Sequence, residues 1–347
     1  MHCMHGGIRT FRCHLFAQHF QGETLMKTIL STIASAVAMA FASGAVSAQP
    51  TVSTSQVGTG NSLYVVQQAP DQEFYELTAT IKQTGTNNVA GDPLKKIPGI
   101  FQIRSYDAYA DIVQTGNQNG ATISQDNINR SGTAIKQIGA DNKALVKQKD
   151  SGEVGNTIEQ VGNRNAVNVD QLYLFPFSIR AYQKGDDNNI TAKQVNSGFG
   201  GPLVEQVGNL NKVTIDQDNA VYSGVWVQQG GNGNIASVKQ KDSYFTREQT
   251  ILQKGNYNLA SADEQGQDNA SKIVQTGNLN KATVVQRLDY SQSLIDQTGN
   301  NNIASVTQNG GNQYDTPNIA SIIQKGNGFA AAITQSGSGN QAGVVQQ

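Results

Sequence analysis

From residue 112 onward, apolar and small polar positions alternate with charged and polar ones at a period of two, the mark of strands with one covered face. Around Gln137 the covered set reads Ser131, Thr133, Ile135 and Gln137, then, after a short break containing Gly139, Asn142, Ala144, Val146 and Gln148. Around Gln297 it reads Ser291, Ser293, Ile295 and Gln297, then Asn302, Ala304, Val306 and Gln308. The intervening residues, such as Lys136, Lys143, Lys147, Asp296 and Thr307, are mainly polar and are predicted to face outward. The pattern predicts pairs of strands of about six residues joined by tight corners.

The pairs repeat. A unit Gln-x-Gly-x-x-Asn, with a second Gln eleven residues after the first and typically Ala or Val two places after the Asn, occurs ten times. Its first glutamines are Gln56, Gln114, Gln137, Gln160, Gln183, Gln206, Gln229, Gln275, Gln297 and Gln335. Three further copies are damaged: Gln83 loses its second glutamine to Leu94, Gln253 loses its own to Glu264, and Gln324 has Phe329 in place of Asn. From Gln114 the first glutamines step by 23 residues five times, then by 24, 22 and 22. A fixed period of this size predicts an all-β fold, a β-solenoid of stacked strand-arc-strand repeats of 22–23 residues with cross-β, amyloid-forming character. The Gly in each corner, often followed by Asn or Asp as in Gly116-Asn117 and Gly208-Asn209, suits a chain that reverses within a few residues.

The covered face carries amides, and burying an amide without partners costs about 1–3 kcal/mol. Stacking removes that cost, because identical amides about 4.8 Å apart donate to one neighbour and accept from the other. The spacing predicts one ladder through Gln114, Gln137, Gln160, Gln183, Gln206, Gln229, Gln275 and Gln297, and a second through Gln125, Gln148, Gln171, Gln194, Gln217, Gln240, Gln286 and Gln308. An asparagine ladder is predicted through Asn119, Asn142, Asn165, Asn188, Asn211, Asn234, Asn280 and Asn302. Between them Ile123, Val146, Val169, Ile215 and Val238 form a dry apolar seam.

Exceptions to the pattern are informative. Glu264 puts a group that cannot donate when ionised where a ladder glutamine belongs. It acts as a gatekeeper against stacking, or the strand bulges so that Gln265 takes the place. Residues 68–111, with Pro70, Pro93 and Pro98 and the aromatics Phe74, Tyr75, Phe101, Tyr106 and Tyr109, are predicted to be an irregular insertion holding one strand that ends at Gln83. A smaller insertion is predicted from Asn309 to Pro317. The last repeat, with Gln335, Asn340 and Gln346, has no polar cap and is predicted to be an assembly end.

At the other end, Met26 and Lys27 precede a mostly apolar run from Ile29 to Val46 and the small residues Ser47 and Ala48, the layout of a secretory signal peptide. The expected organisation is an untranslated upstream extension at 1–25, a signal peptide at 26–48, a first repeat at 49–67, the insertion at 68–111 and the repeat solenoid at 112–347. Every Cys, His and Met lies before residue 49. The remainder therefore lacks the commonest metal ligands, the thiol nucleophile, the imidazole acid/base and any disulfide. No cofactor, no metal site and no enzymatic activity are expected. Asp186-Asp187 falls in a corner, and the run Gly230-Gly231-Asn232-Gly233 lacks the lysine of a phosphate loop. A net charge of −1 with interspersed signs points to no nucleic-acid partner.

The motif, at this period and behind a signal peptide, resembles the curlin repeat of bacterial curli subunits. That family also places Ser six residues before the first Gln; Ser131, Ser223 and Ser291 agree, whereas Asn269, Phe177 and Gly200 stand there in other repeats. The resemblance implies a secreted subunit that passes a dedicated secretion pore with the help of a chaperone. It further implies polymerisation with itself, and with another curli subunit, into extracellular fibres that support adhesion and biofilm matrix. The chain has more repeats than familiar members and no Gly-rich segment after the signal peptide. The second departure, with the stretch Ile322-Ile323-Gln324-Lys325-Gly326, keeps open a minor subunit that nucleates fibres at the outer membrane. A reading of another class, a monomeric β-helix adhesin or polysaccharide-acting enzyme, requires a cleft of acids and bases and capped ends.

Overall fold

A computed structural model describes residues 50–68, 76–92, 97–176, 178–246, 249–287, 289–309 and 317–347. The expected upstream extension and signal peptide lie outside the described residues, as do Pro70, Phe74, Tyr75, Pro93, Leu94, Phe177 and residues 310–316 of the smaller insertion. The described residues form strands, turns and bends without a helix, and they wind into a parallel β-solenoid of about 12 turns.

Within the solenoid the strands pair in parallel with the equivalent strands of the adjacent coils, on both sides for the internal coils. Lys143–Gly152 lies between the part of Gly120–Ala140 that holds Gln125 and the strand Ala166–Leu172, with Gln125, Gln148 and Gln171 as register partners. On the facing side of the coil, Gln137, Gln160, Gln183 and Gln206 are register partners in the same way. The two faces enclose a narrow interior whose apolar centre is one continuous cluster including Ile135, Val146, Ile158, Val169, Val204 and Ile215. In the coil of Gln183 the first face buries Ile179 and Ala181 and the second Ile190 and Ala192, one large and one small residue from each side. Deletion of one core methyl would thus be felt locally, since such a seam has no room to rearrange.

The corner after the first glutamine needs two left-handed residues. Gly185 has φ +117°, and a Cβ there would lie 2.1 Å from the carbonyl oxygen of Gly208 in the next coil. Asp187, two places later, has φ +58°. The residue between them serves a different end: the Asp186 carboxylate accepts the backbone N–H of Asn163 at 2.8 Å, and Asn209 accepts that of Asp186 at 2.8 Å. The Asn or Asp after Gly is therefore selected for its acceptor, which binds the preceding coil, and the left-handed turn falls on its successor.

In the coils that carry Gln125 to Gln217, the second corner is one residue longer than the first and is held differently. The Ser151 hydroxyl donates to the Lys149 carbonyl at 2.8 Å and accepts the Leu174 N–H of the next coil at 3.1 Å. From Glu264 onward the second corner adopts the form of the first: Gly266 has φ +108°, Asp268 φ +50°, and Asn269 is buried. This explains the shortening of the period from 23 to 22, because both halves of the coil are now equal.

Among the described residues of 68–111, the expected strand at Gln83 is present and further segments also join the solenoid, which corrects the expectation of an irregular insertion. Leu77–Thr86 lies in register between Thr51–Thr59 and Tyr106–Asn117, so that Gln83 pairs with Gln56 and Gln114. Ile100–Ile103 lies between Val65–Gln68 and the strand of Gln125, and Gln102 occupies the place thought lost at Leu94. A short antiparallel excursion, in which Gly91 and Asp92 oppose Pro98 and Ile97, inserts the extra residues at the start of the second strand. A search at fixed eleven-residue spacing steps over such an excursion. Pro98 is thereby kept out of the parallel ladders, where its missing N–H would leave a gap.

Candidate assembly site

The first glutamine row is continuous. Each Nε2 donates to the Oε1 of the next coil from Gln56 through Gln83, Gln114, Gln137, Gln160, Gln183, Gln206, Gln229, Gln253, Gln275, Gln297 and Gln324 to Gln346, at 2.5–2.9 Å. The second amide hydrogen goes to a backbone carbonyl, as from Gln137 to Gly120 and from Gln160 to Lys143. Both donors and the oxygen are thus satisfied, so the row is buried without an amide desolvation penalty. The damaged copies at Gln83, Gln253 and Gln324 keep their places, because this row depends only on the first glutamine.

The asparagine row runs with the opposite polarity. The Nδ2 and backbone N–H of Asn142 both donate to Oδ1 of Asn119, at 3.0 and 3.1 Å, while the same Nδ2 donates to the Gly162 carbonyl at 2.7 Å. The arrangement recurs at Asn165, Asn188, Asn211 and Asn234. Asn88 and Asn258, absent from the predicted row, also belong to it. Asn280 and Asn302 keep the backbone bond at 3.0 Å. The row ends where the Phe329 N–H donates to Asn302.

The second glutamine row is interrupted, which corrects the expectation of an unbroken ladder. Gln67, Gln102, Gln125 and Gln148 are joined, as are Gln171, Gln194, Gln217 and Gln240, and again Gln286, Gln308 and Gln335. Between Gln148 and Gln171 the backbones remain in register. There the Gln171 oxygen accepts from Asn156 Nδ2 at 2.7 Å, while Gln148 accepts from Thr133 and donates to Ser131. The second interruption is Glu264, which stays in the row, fully buried and in register with Gln240 and Gln286, while Gln265 is exposed. The alternative in which Gln265 takes the place does not occur. Burial pushes the Glu264 carboxyl up to about 7; Ser271, Gln249 and Gln240 lie near enough to offset part of the rise, although none meets Glu264 in hydrogen-bond geometry, and the Asp263 charge adds to it.

Sequence reasoning missed a fourth row. Asn269 accepts the backbone N–H of Ser291 at 2.9 Å, and Asn318 accepts that of Asn340 at 3.0 Å. The signal was available, since Glu264 to Asn269 reads as a copy of the first-corner motif with Glu in place of Gln.

Outside, charges stack from coil to coil. Arg164 and Asp187 meet at 2.7 Å, Lys136 and Glu159 at 2.8 Å. Lys147, Asp170, Lys193, Asp216, Lys239 and Asp263 are successive register partners and alternate in sign. Stacking a coil on its next-but-one neighbour would set like charge on like, so the row opposes that misregister.

At the C-terminal end, Ala330–Ser336 and Gln341–Gln346 each have one partner strand among the described residues, Ile303–Asn309 and Asn318–Lys325. Gln335 and Gln346 accept from Gln308 and Gln324 and donate to the Ile319 and Ala330 carbonyls, and Asn340 donates to Asn318. Val344 and Ala342 pack on the core cluster but are only partly covered. At the opposite end Thr51–Thr59 has Leu77–Thr86 as its partner strand. Among the described residues no cluster of three or more His, Cys, Asp or Glu is placed to hold a metal ion. No protein-family model matches the chain, and no curated protein matches it.

Proposed function

We propose that the chain is a self-assembling structural subunit of curli-type extracellular fibres, secreted and polymerised through its terminal coils in support of adhesion and biofilm matrix. The observation that carries this reading is the single polarity of the first glutamine row from Gln56 to Gln346. A coil of a second copy laid on Gln341–Gln346 meets the register and donor direction that each internal coil meets. Backbone bonds, glutamine row and the partly covered Val344 and Ala342 all gain a partner by that one step. The partners of the reading are other copies of the chain, a second fibre subunit, and the pore and chaperone that export it.

The test is to dilute the full chain from denaturant and follow thioflavin fluorescence, then fibre diffraction. Fibres with reflections near ~4.8 Å along the axis and ~10 Å across it are expected. A chain that refolds to a persistent soluble monomer would overturn the reading.

A further inference from the structure

The second glutamine row has a fixed donor direction. Gln217 Nε2 donates to Gln240 at 2.6 Å, and Gln286 Nε2 donates to Gln308 at 2.9 Å. The residue between Gln240 and Gln286 must therefore accept from one and donate to the other. Glu264 holds that position, in register with both and 0% exposed. An ionised carboxylate accepts only, whereas a neutral carboxyl has the shape and polarity of the amide it replaces: its C=O accepts and its O–H donates.

The hydrogen bonds of the row are incomplete on both sides of Glu264. Oε1 of Gln286, the acceptor awaiting a donor from Glu264, has no hydrogen-bond partner, nor has either oxygen of Glu264. Gln240 turns its Nε2 to the Thr246 hydroxyl at 3.4 Å. Across the interior, both polar atoms of the Gln249 side chain are likewise unpartnered.

No counter-ion among the described residues inside the coil stabilises a negative charge. Among the described residues, the side chains facing Glu264 are Gln240, Gln249, Ser271 and Gln286. Lys239 and Lys241 on the strand before, Lys281 on the strand after, and Lys254 and Lys272 across the interior are exposed. Asp263 and Arg287 are paired with each other at 2.5 Å on the outer face.

We propose that Glu264 is a proton-binding site that joins two blocks of the solenoid: with a proton from water on one carboxyl oxygen it completes the row from Gln240 to Gln286, and without it the row is severed there. Proton release converts the O–H donor into a second acceptor facing the Gln286 oxygen, so two lone-pair atoms oppose each other in a dry interior. The joint between the coils before and after Glu264 then loosens, and the coils after it are those that carry the C-terminal edge. That last consequence rests on the fibre reading; the proton site itself does not.

Hydrogen exchange of the full chain tests it, read in Ile235–Tyr244, Leu259–Gln267 and Lys281–Arg287 at about pH 5.5 and about pH 8 and corrected for the intrinsic rate. Because the folded state holds the proton more tightly than the unfolded chain, stability falls as pH rises from the ordinary carboxyl range and levels off above the folded value. Local opening about 30-fold greater at the higher pH is expected in the parent. Glu264→Gln restores a permanent donor, so it is expected to stay protected at both pH values and to lack the neutral-carboxyl infrared band of the parent. Equal protection of the parent at the two pH values, or the same pH dependence in Glu264→Gln, would sink the proposal. A chain that remains monomeric yet shows the parent's pH dependence upholds the proton site and removes only the fibre reading.

Discussion

The two glutamine rows lie in the same coils, on backbones in equal register, yet one is continuous and the other breaks twice. What differs is the group facing each row. In the first row the spare amide hydrogen meets a backbone carbonyl of the preceding coil's second strand, such as Lys143, Ala166 or Asn189, and that partner does not change with sequence. The second row faces the beginning of the first strand, where the side chain varies from Thr133 to Asn156, Ile179 and Gln249. Where that side chain competes for the amide, as Asn156 does, the row opens. The contrast vanishes once the second corner takes the form of the first: Gln286, Gln308 and Gln335 donate to the Ala270, Gln292 and Ile319 carbonyls. The side chain facing the row, Asn156 at one layer, and the residue within it, Glu264 at the other, therefore decide where a stacked amide fails to become a laddered one.

The sharpest way to break the first row is through its corner. In Gly208→Ala the new Cβ would lie 2.0 Å from the Gly231 carbonyl oxygen at a φ of +117°, and backbone on both sides must move. A loss of about 3 kcal/mol or more is expected in denaturant unfolding. Gly132→Ala, with nothing within 4 Å of the new methyl, is expected to change stability by under ~1 kcal/mol in the favourable direction.

Next in size is a comparison within the first row itself. Replacing Gln137, Gln160 and Gln183 by Leu removes a contiguous block, and only Gln114 and Gln206 at its edges lose a ladder partner. Replacing Gln137, Gln183 and Gln229 strands Gln160 and Gln206 between leucines and also costs Gln114 and Gln253 a bond each. Since an orphaned buried polar group costs about 1–3 kcal/mol while an apolar replacement of similar shape is nearly neutral, the spaced triple is expected to lose roughly three times as much stability. Equal losses in thermal or denaturant unfolding would mean that the bonds along the row are not what holds it.

Much of this was legible in the sequence. Identity of residues at a fixed spacing implies stacking, and stacking of identical amides implies shared bonds, so the coil period and the Asn119 to Asn234 row follow from spacing alone. The Asp92 to Ile97 excursion and Gln102 were hidden because the spacing itself changes there. The break at Gln171 was hidden for another reason. It depends on Asn156, fifteen residues away and on the opposite face, so the contact belongs to the cross-section of the coil and not to its period.

Asn156 offers the finest test of the comparison, because two effects of opposite sign meet there. Asn156→Val frees the Gln171 oxygen to accept from Gln148 and would close the second row at that layer. It also removes the Oδ1 that accepts the buried backbone N–H of Ile179 at 3.0 Å. A new hydrogen bond contributes about 1 kcal/mol, whereas an orphaned buried N–H costs about 1–3 kcal/mol. The orphan wins, and a net loss near ~1 kcal/mol is expected in denaturant unfolding, together with stronger exchange protection between Gln148 and Gln171 if the row closes. A net gain in stability would show that the amide row outweighs a backbone donor, and that the interruption at Asn156 is a sacrifice of stability at this layer.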